Sequence, residues 1–252
     1  MAVDYKKEGR IAIFTLNRPE VLNAQNAQLH RELNDAFIDF RDDPDLWVGI
    51  VNGAGDRAFS AGADIKEFRP GPIVGGGGAI GRVRAEQIWK PFIAAIHGYC
   101  LGGGLQLAME CDLRIAADNA RFGYPEVRRG LFPGSGCTQR LPRYINRTHV
   151  MELMLMGQQI DAHDAYRMGL INKVVPLDQL MPTARQWAEI ICEAGPLGVR
   201  AAKEAIIRGF DMTMEEGIQL EAELLNRVRN TEDFMEGARA FVEKRKPAWK
   251  AR

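Results

Sequence analysis

The apolar positions of this chain fall into two periods. Residues 11–16 form a continuous apolar run that reads as a short buried strand, and Asn17, Arg18, Pro19 and Glu20 supply the turn chemistry that stops it. Leu29, Leu33, Ala36, Phe37 and Phe40 then recur at helical spacing, which predicts an amphipathic helix over 26–40, ended by Asp42-Asp43-Pro44-Asp45. Residues 47–51 return to strand. Strand, helix and strand in succession point to an α/β fold with right-handed crossovers. Further strands are expected at 92–96, 113–117 and 171–175, with a short helix at 82–89 and an extended stretch at 122–127. From Thr148 onward the pattern is mostly helical. Helices are predicted at 149–156 and at 162–168, the latter with Asp161 as N-cap and Gly169 as its close, then around 177–193, 197–209, 214–230 and 232–244.

Glycine interrupts this pattern at informative places. Gly102-Gly103-Gly104 follows the 92–96 run and opens onto Leu105, Leu107, Ala108 and Met109. Such a turn exposes main chain to a ligand, and the first turn of the helix behind it offers unpaired N–H groups with partial positive charge, a device for holding an anion or a developing oxyanion. A tight packing turn would use the same residues, so the triplet alone does not decide. Residues 53–67 form a second small-residue loop, and the Gly/Pro-rich stretch at 70–78 reads as a linker. Glu126 follows Pro125 in the extended segment. Gly134-Ser135-Gly136 lacks the spacing of a serine nucleophile turn, because Pro133 stands where that turn has glycine.

Composition narrows the function classes. Lys plus Arg and Asp plus Glu are both 33 in 252 residues, so no overall field recruits nucleic acid or an anionic membrane, and the substrate has to be recognised locally. No stretch approaches the roughly 18 apolar residues of a membrane span, and the polar start is unlike a signal peptide. A cytoplasmic enzyme is therefore expected. Cys100, Cys111, Cys137 and Cys192 show no C-x-x-C spacing and read as reduced thiols. The four histidines are scattered, Asp161-Ala162-His163-Asp164 reads as a helix cap, and no metal is expected. Arg128, Arg129, Arg140, Arg143 and Arg147 read as a solvated or interface face.

Taken in order, the motifs resemble the crotonase (enoyl-CoA hydratase/isomerase) superfamily: FSAGADIKE at 59–67, GYCLGGGLQLAMECD at 98–112, FGYPEVRRGLFPGSGCTQRLPR at 122–143, GLINKVV at 169–175 and AFVEKRKPAW at 240–249. The resemblance covers essentially the whole chain. It implies an α/β fold built as a spiral of ββα repeats over 1–195, with a C-terminal helical trimerisation region over 196–252, and a homotrimer or a hexamer made as a dimer of trimers. It implies an acyl-CoA thioester as substrate, with no cofactor beyond the substrate's own coenzyme A. By the same resemblance the backbone N–H groups of Ala63 and Gly103 hold the thioester oxygen. Ala61, Asp64 and Ile65 then lie near the adenine, Leu22 and Ala24 beside the CoA chain, and Phe241 and Lys244 at the nucleotide end.

The chain departs from the pattern at one catalytic position. Hydratases of the family resemble it with two glutamates, whereas here Glu126 is present and the other position holds Gln106, an amide that orients water but does not exchange protons. Hydration/dehydration through an oxyanion-stabilised enolate is the leading expectation. Double-bond isomerisation with Glu126 as the single carboxylate is the alternative, and a catalytically weak acyl-CoA-binding scaffold is the alternative of another class. Cys137 stands where the family block has glycine, with no physical account from sequence.

Overall fold

A computed structural model describes residues 1–67 and 82–252; the linker expected at 70–78 lies outside the described residues. Ten strands are described: β1 (Val3–Glu8), β2 (Ile11–Leu16), β3 (Val48–Gly53), β4 (Ala58–Ser60), β5 (Phe92–Ile96), β6 (Tyr99–Leu101), β7 (Leu113–Ala117), β8 (Arg121–Gly123), β9 (Gln159–Asp161) and β10 (Lys173–Val175). They form a six-stranded sheet in the order β1-β2-β3-β5-β7-β10 and a four-stranded sheet in the order β4-β6-β8-β9. Each pair β3/β4, β5/β6 and β7/β8 puts one strand in each sheet, and neighbours from successive pairs run parallel. The chain therefore winds as a spiral.

The strands β2, β3, β5 and β7 of the larger sheet are largely apolar on both faces because both faces are covered. On β2, Ala12, Phe14 and Leu16 face one core while Ile11 and Ile13 face another; on β5, Phe92, Ala94 and Ile96 alternate in the same way with Ile93 and Ala95. The first core holds Phe37 and Phe40 of α1 (Ala27–Asp42), whose rings pack edge-on against Phe14 at 5.0 and 5.7 Å. Asn26 caps that helix by accepting from the Leu29 amide at 2.9 Å.

The remaining helices are α2 (Gly103–Glu110), α3 (Cys137–Tyr144), α4 (Arg147–Met156), α5 (Ala162–Arg167), α6 (Leu180–Glu193), α7 (Pro196–Gly209), α8 (Met214–Arg229) and α9 (Glu232–Val242). Asp161 caps α5 as expected, accepting from the Asp164 amide at 2.8 Å. Leu180, Ala184 and Ala188 of α6 cover the second core. Lys203 of α7 joins this helix to the spiral, donating to the Ala85 and Lys90 carbonyls at 3.1 Å and to Asp112 at 2.7 Å.

Several expectations are corrected. The helix at 82–89 is only a 3-10 turn over Ala85–Gln87, and the helix expected to begin at Leu177 starts with a 3-10 turn over Leu177–Gln179. The stretch at 122–127 is extended only to Gly123, and Glu126 lies on a 3-10 turn over Pro125–Arg129 that begins at a proline. The 53–67 loop contains β4. The short strands β1, β4, β6, β8 and β9 and the helix α3 carried too little periodicity to be read locally. Arg140 does not belong to a solvated face: its side chain is half-buried and pairs with Glu86.

Candidate active site

The candidate site lies where three parallel strands of the smaller sheet end. Because β4, β6 and β8 are neighbours running the same way, the segments leaving their carboxyl ends are brought side by side: Ala61 to Asp64, Gly102 to Gly104, and Tyr124 to Glu126. Loops at the carboxyl ends of parallel strands are the usual position for ligands in α/β proteins. The Gly102 amide donates to the Gly123 carbonyl at 2.9 Å, which holds the second and third segments together.

Two of these segments need glycine for stated reasons. Gly62 has φ +97°, and a Cβ there would meet the Leu101 carbonyl at 2.8 Å and the Gly103 nitrogen at 3.1 Å. Gly102 has φ +51°, and a Cβ there would meet Glu126 Oε1 at 2.5 Å. Both positions combine left-handed backbone with close approach. The result is that the amides of Ala63 and Gly103 share one small space: a Cβ on Gly103 would sit 3.4 Å from the Ala63 nitrogen. Among the described residues, neither amide donates a hydrogen bond to the chain. Gly103 opens α2, so its N–H also carries the positive end of the helix dipole.

The carboxylate of Glu126 lies over Gly102. Burial raises its pKa, against the opposing pull of its own backbone amide and of Arg129. Its Oε2 is buried with no hydrogen-bond partner among the described residues. Gln106, one turn into α2, is 1% exposed; its Nε2 donates to Glu110 at 3.3 Å and its Oε1 has no partner among the described residues. Neighbouring thiols do not compete for the chemistry, since burial pushes Cys137 up to about 12 and raises Cys100 well above its ordinary value. Cys137 is simply packed, 2% exposed, at the first residue of α3.

The rim of the site contains the other expected residues. Leu22 and Ala24 are half-buried, and Ala61 and Asp64 flank Gly62, whereas Ala63 and Ile65 are exposed. Phe241 lies on α9 and Lys244 just after it. Phe241 is 86% exposed on α9, and among the described residues no hydrogen bond or ion pair joins either residue to the site.

Three residues that sequence reading missed hold the rim in place. Arg18 Nη1 bonds the Ala24 carbonyl at 2.6 Å and Asp64 at 3.0 Å. Asn23, fully buried at φ 54°, donates to the Ala54 and Ala58 carbonyls at 3.0 and 2.7 Å. Gln25 donates from Nε2 to the Gly103 carbonyl at 3.0 Å, while its amide bonds Gly62 O at 2.8 Å, tying both glycine turns to one strap. A buried-looking polar cluster directly after a turn was the only signal for them. Among the described residues, no three His, Cys, Asp or Glu side chains are grouped to hold a metal ion, and no helix is long and apolar enough to cross a membrane.

The family model for enoyl-CoA hydratase/isomerase matches residues 6–252. A short-chain-enoyl-CoA hydratase of Clostridium acetobutylicum is 41% identical over 246 residues, 96% of this chain and 94% of the relative. An (E)-benzylidenesuccinyl-CoA hydratase of Thauera aromatica is 40% identical over 256 residues, covering 99% of each. The crystal structure of an enoyl-CoA hydratase from Mycobacterium tuberculosis superposes with a TM-score of 0.92 at 37% identity, over 100% of this chain and 99% of that one.

Proposed function

This chain belongs to the enoyl-CoA hydratase/isomerase family, and from that premise we propose that its enoyl-CoA hydration is carried out by Ala63, Gly103, Glu126 and Gln106. The thioester oxygen of a 2-enoyl-CoA accepts from the Ala63 and Gly103 N–H groups. Water adds through its oxygen to the β-carbon as Glu126 takes one of its protons, and the electron pair of the double bond moves toward the thioester oxygen as an enolate. The two N–H donors meet that charge where it develops. Glu126, now protonated, returns the proton to the α-carbon, so the elements of water are added with no net change at the enzyme. Gln106 takes no proton and supplies a hydrogen-bond anchor for the water. No group beyond the coenzyme A of the substrate is needed.

The observation that carries this reading is the convergence, at the ends of three adjacent strands, of two N–H groups and one buried carboxylate oxygen that have no partner among the described residues. Leu22, Ala24, Ala61, Asp64 and Ile65 form the rim along which the CoA would lie. Phe241 and Lys244 would reach a nucleotide only across a subunit boundary, so the reading includes a trimer, or a hexamer of two trimers, with residues 196–252 as its helical contact region on the 1–195 spiral. A cytoplasmic setting is part of the same proposal, supported by the four free thiols, of which Cys100, Cys111 and Cys137 are buried.

The experiment is incubation with a short trans-2-enoyl-CoA, and separately a 3-enoyl-CoA, in water labelled with heavy oxygen. Loss of the conjugated thioester with one labelled oxygen in the product is expected. A protein that shifts the double bond of the 3-enoyl-CoA and incorporates no label would instead be an isomerase using Glu126 alone. One that binds both and converts neither would be an acyl-CoA-binding scaffold.

A further inference from the structure

Behind the glycine turn lies a buried row of polar side chains that the mechanism above does not use in full. Gln106, Glu110 and Arg82 are 1%, 2% and 6% exposed. Arg82 Nη2 donates to Glu110 Oε2 at 2.7 Å, and Gln106 Nε2 donates to Glu110 Oε1 at 3.3 Å. The two ends of an amide are interchangeable in shape, so what decides its orientation is the hydrogen-bond network around it. A carboxylate paired with an arginine only accepts, so it takes the NH2 end of Gln106 and turns the carbonyl end away. That carbonyl oxygen is buried and has no partner among the described residues, and the same holds for Glu126 Oε2. The Gln106 amide donates to the Gly102 carbonyl at 2.9 Å, so the residue stands one turn from the glycine over which the Glu126 carboxylate lies, and side chains on a helix lean back toward its N-terminus. Unsatisfied buried acceptors are costly, and two of them on residues that flank the same glycine turn match a ligand with two donors. Water has two.

We infer that Glu110, held by Arg82, is a positioning residue that aims the Gln106 carbonyl at the adding water, so that the water is gripped by two acceptors of which only Glu126 takes a proton. The inference rests on the hydratase reading above. It also couples two positions. A carboxylate at 106 would face Glu110 across the gap now spanned by a hydrogen bond, and the two like charges would repel. With Glu110 in place, glutamine is the side chain that suits position 106.

The test is a set of four proteins assayed for hydration of a short trans-2-enoyl-CoA: wild type, Glu110→Gln, Gln106→Glu and the double variant. Glu110→Gln offers both a donor and an acceptor, so the amide at 106 is free to present either end; kcat is expected to fall roughly 10–100-fold, in the range that misplacement of a reacting partner costs, with KM little changed. In the Gln106→Glu protein the same substitution removes a like-charge contact, so it should raise kcat and move the acid limb of the pH profile to lower pH. A packing role would lower kcat in both backgrounds. If Glu110→Gln does not fold, Arg82→Met with Glu110→Met removes both charges with side chains of similar bulk, and the same reversal of sign is expected with Gln106 and with Gln106→Glu. A Glu110 substitution that is neutral in the wild-type background, or that costs the same factor in both, overturns this inference and leaves the hydratase reading standing. A wild type with no hydration overturns both.

Discussion

At Glu126, burial and chemistry act on the same oxygen atoms. Burial raises its pKa above the ordinary value of 4.5, and a base that must take a proton from water works only when ionised. The kcat/KM for hydration is therefore expected to fall as pH falls, and to begin falling at higher pH than for an exposed carboxylate; a pH–rate profile with its acid limb at or below the ordinary carboxylate range would contradict the assignment. The same shift has a sign for stability. A carboxyl group whose folded pKa lies above its unfolded pKa contributes stability that is fully present below the unfolded value and is lost as pH rises through the folded one. At neutral pH, Glu126→Gln should thus raise Tm slightly while lowering kcat by about 10²–10⁴, the usual worth of one acid–base group. Binding of a saturated acyl-CoA should survive, since the N–H donors and the rim are untouched.

At the scale of the element, the start of α2 shows how a helix terminus would serve the proposed site. Ser60 lies so close to Gly104 that only glycine fits there, and this contact presses the helix onto the end of β4. Gly103 is different, because a side chain at that position would enter the space between Gln25 Oε1, 3.1 Å from its Cβ, and the Ala63 nitrogen, 3.4 Å away. Gly103→Val is expected to leave far-UV circular dichroism unchanged and lower kcat/KM by about 10²–10³, the cost of losing one oxyanion donor; near-normal turnover in a folded variant would remove this turn from the mechanism. Gly102→Ala should instead damage both properties. Its φ of +51° is unfavourable for alanine, and the added methyl meets the Glu126 carboxylate. Thermal unfolding and turnover measured together separate the two glycines.

For the whole molecule, the uncovered apolar face of the C-terminal helices is the dominant feature. Of the apolar series in α8, Leu220 and Leu224 are buried, while Ile218 and Leu225 remain 59% and 51% exposed. Phe210, Met235, Phe241 and Val242 are exposed as well. A monomer seldom leaves so many large apolar side chains in water on adjacent helices, and a closed ring of copies joined head to tail would bury them. Sedimentation is expected to give a closed multimer, and Leu225→Glu to shift it toward monomer with weaker CoA binding. A wild type that sediments as a stable monomer would remove both the trimer and the proposed roles of Phe241 and Lys244.

The sequence by itself determined the class of the fold and the ingredients of the chemistry. Helical spacing located α1, and the mostly apolar runs of β2, β3, β5 and β7 record that these strands are covered on both faces. Ordered motifs were enough to point to Ala63, Gly103, Gln106 and Glu126, since glycines, a proline and a carboxylate are recognisable without their neighbours. What only the tertiary structure decided is which of these meet. β4, β6 and β8 are three residues each, too short to show a period, yet their parallel pairing brings residues 63, 103 and 126 to one edge. The straps made by Arg18, Asn23 and Gln25 were equally hidden, because a polar side chain carries no local sign of the distant carbonyl it will bond. The orientation of Gln106 depends on Glu110 one turn away and on Arg82, 28 residues from Glu110 along the chain. Local pattern records what a residue prefers; the direction in which its hydrogen bonds point is settled by partners that only folding brings near.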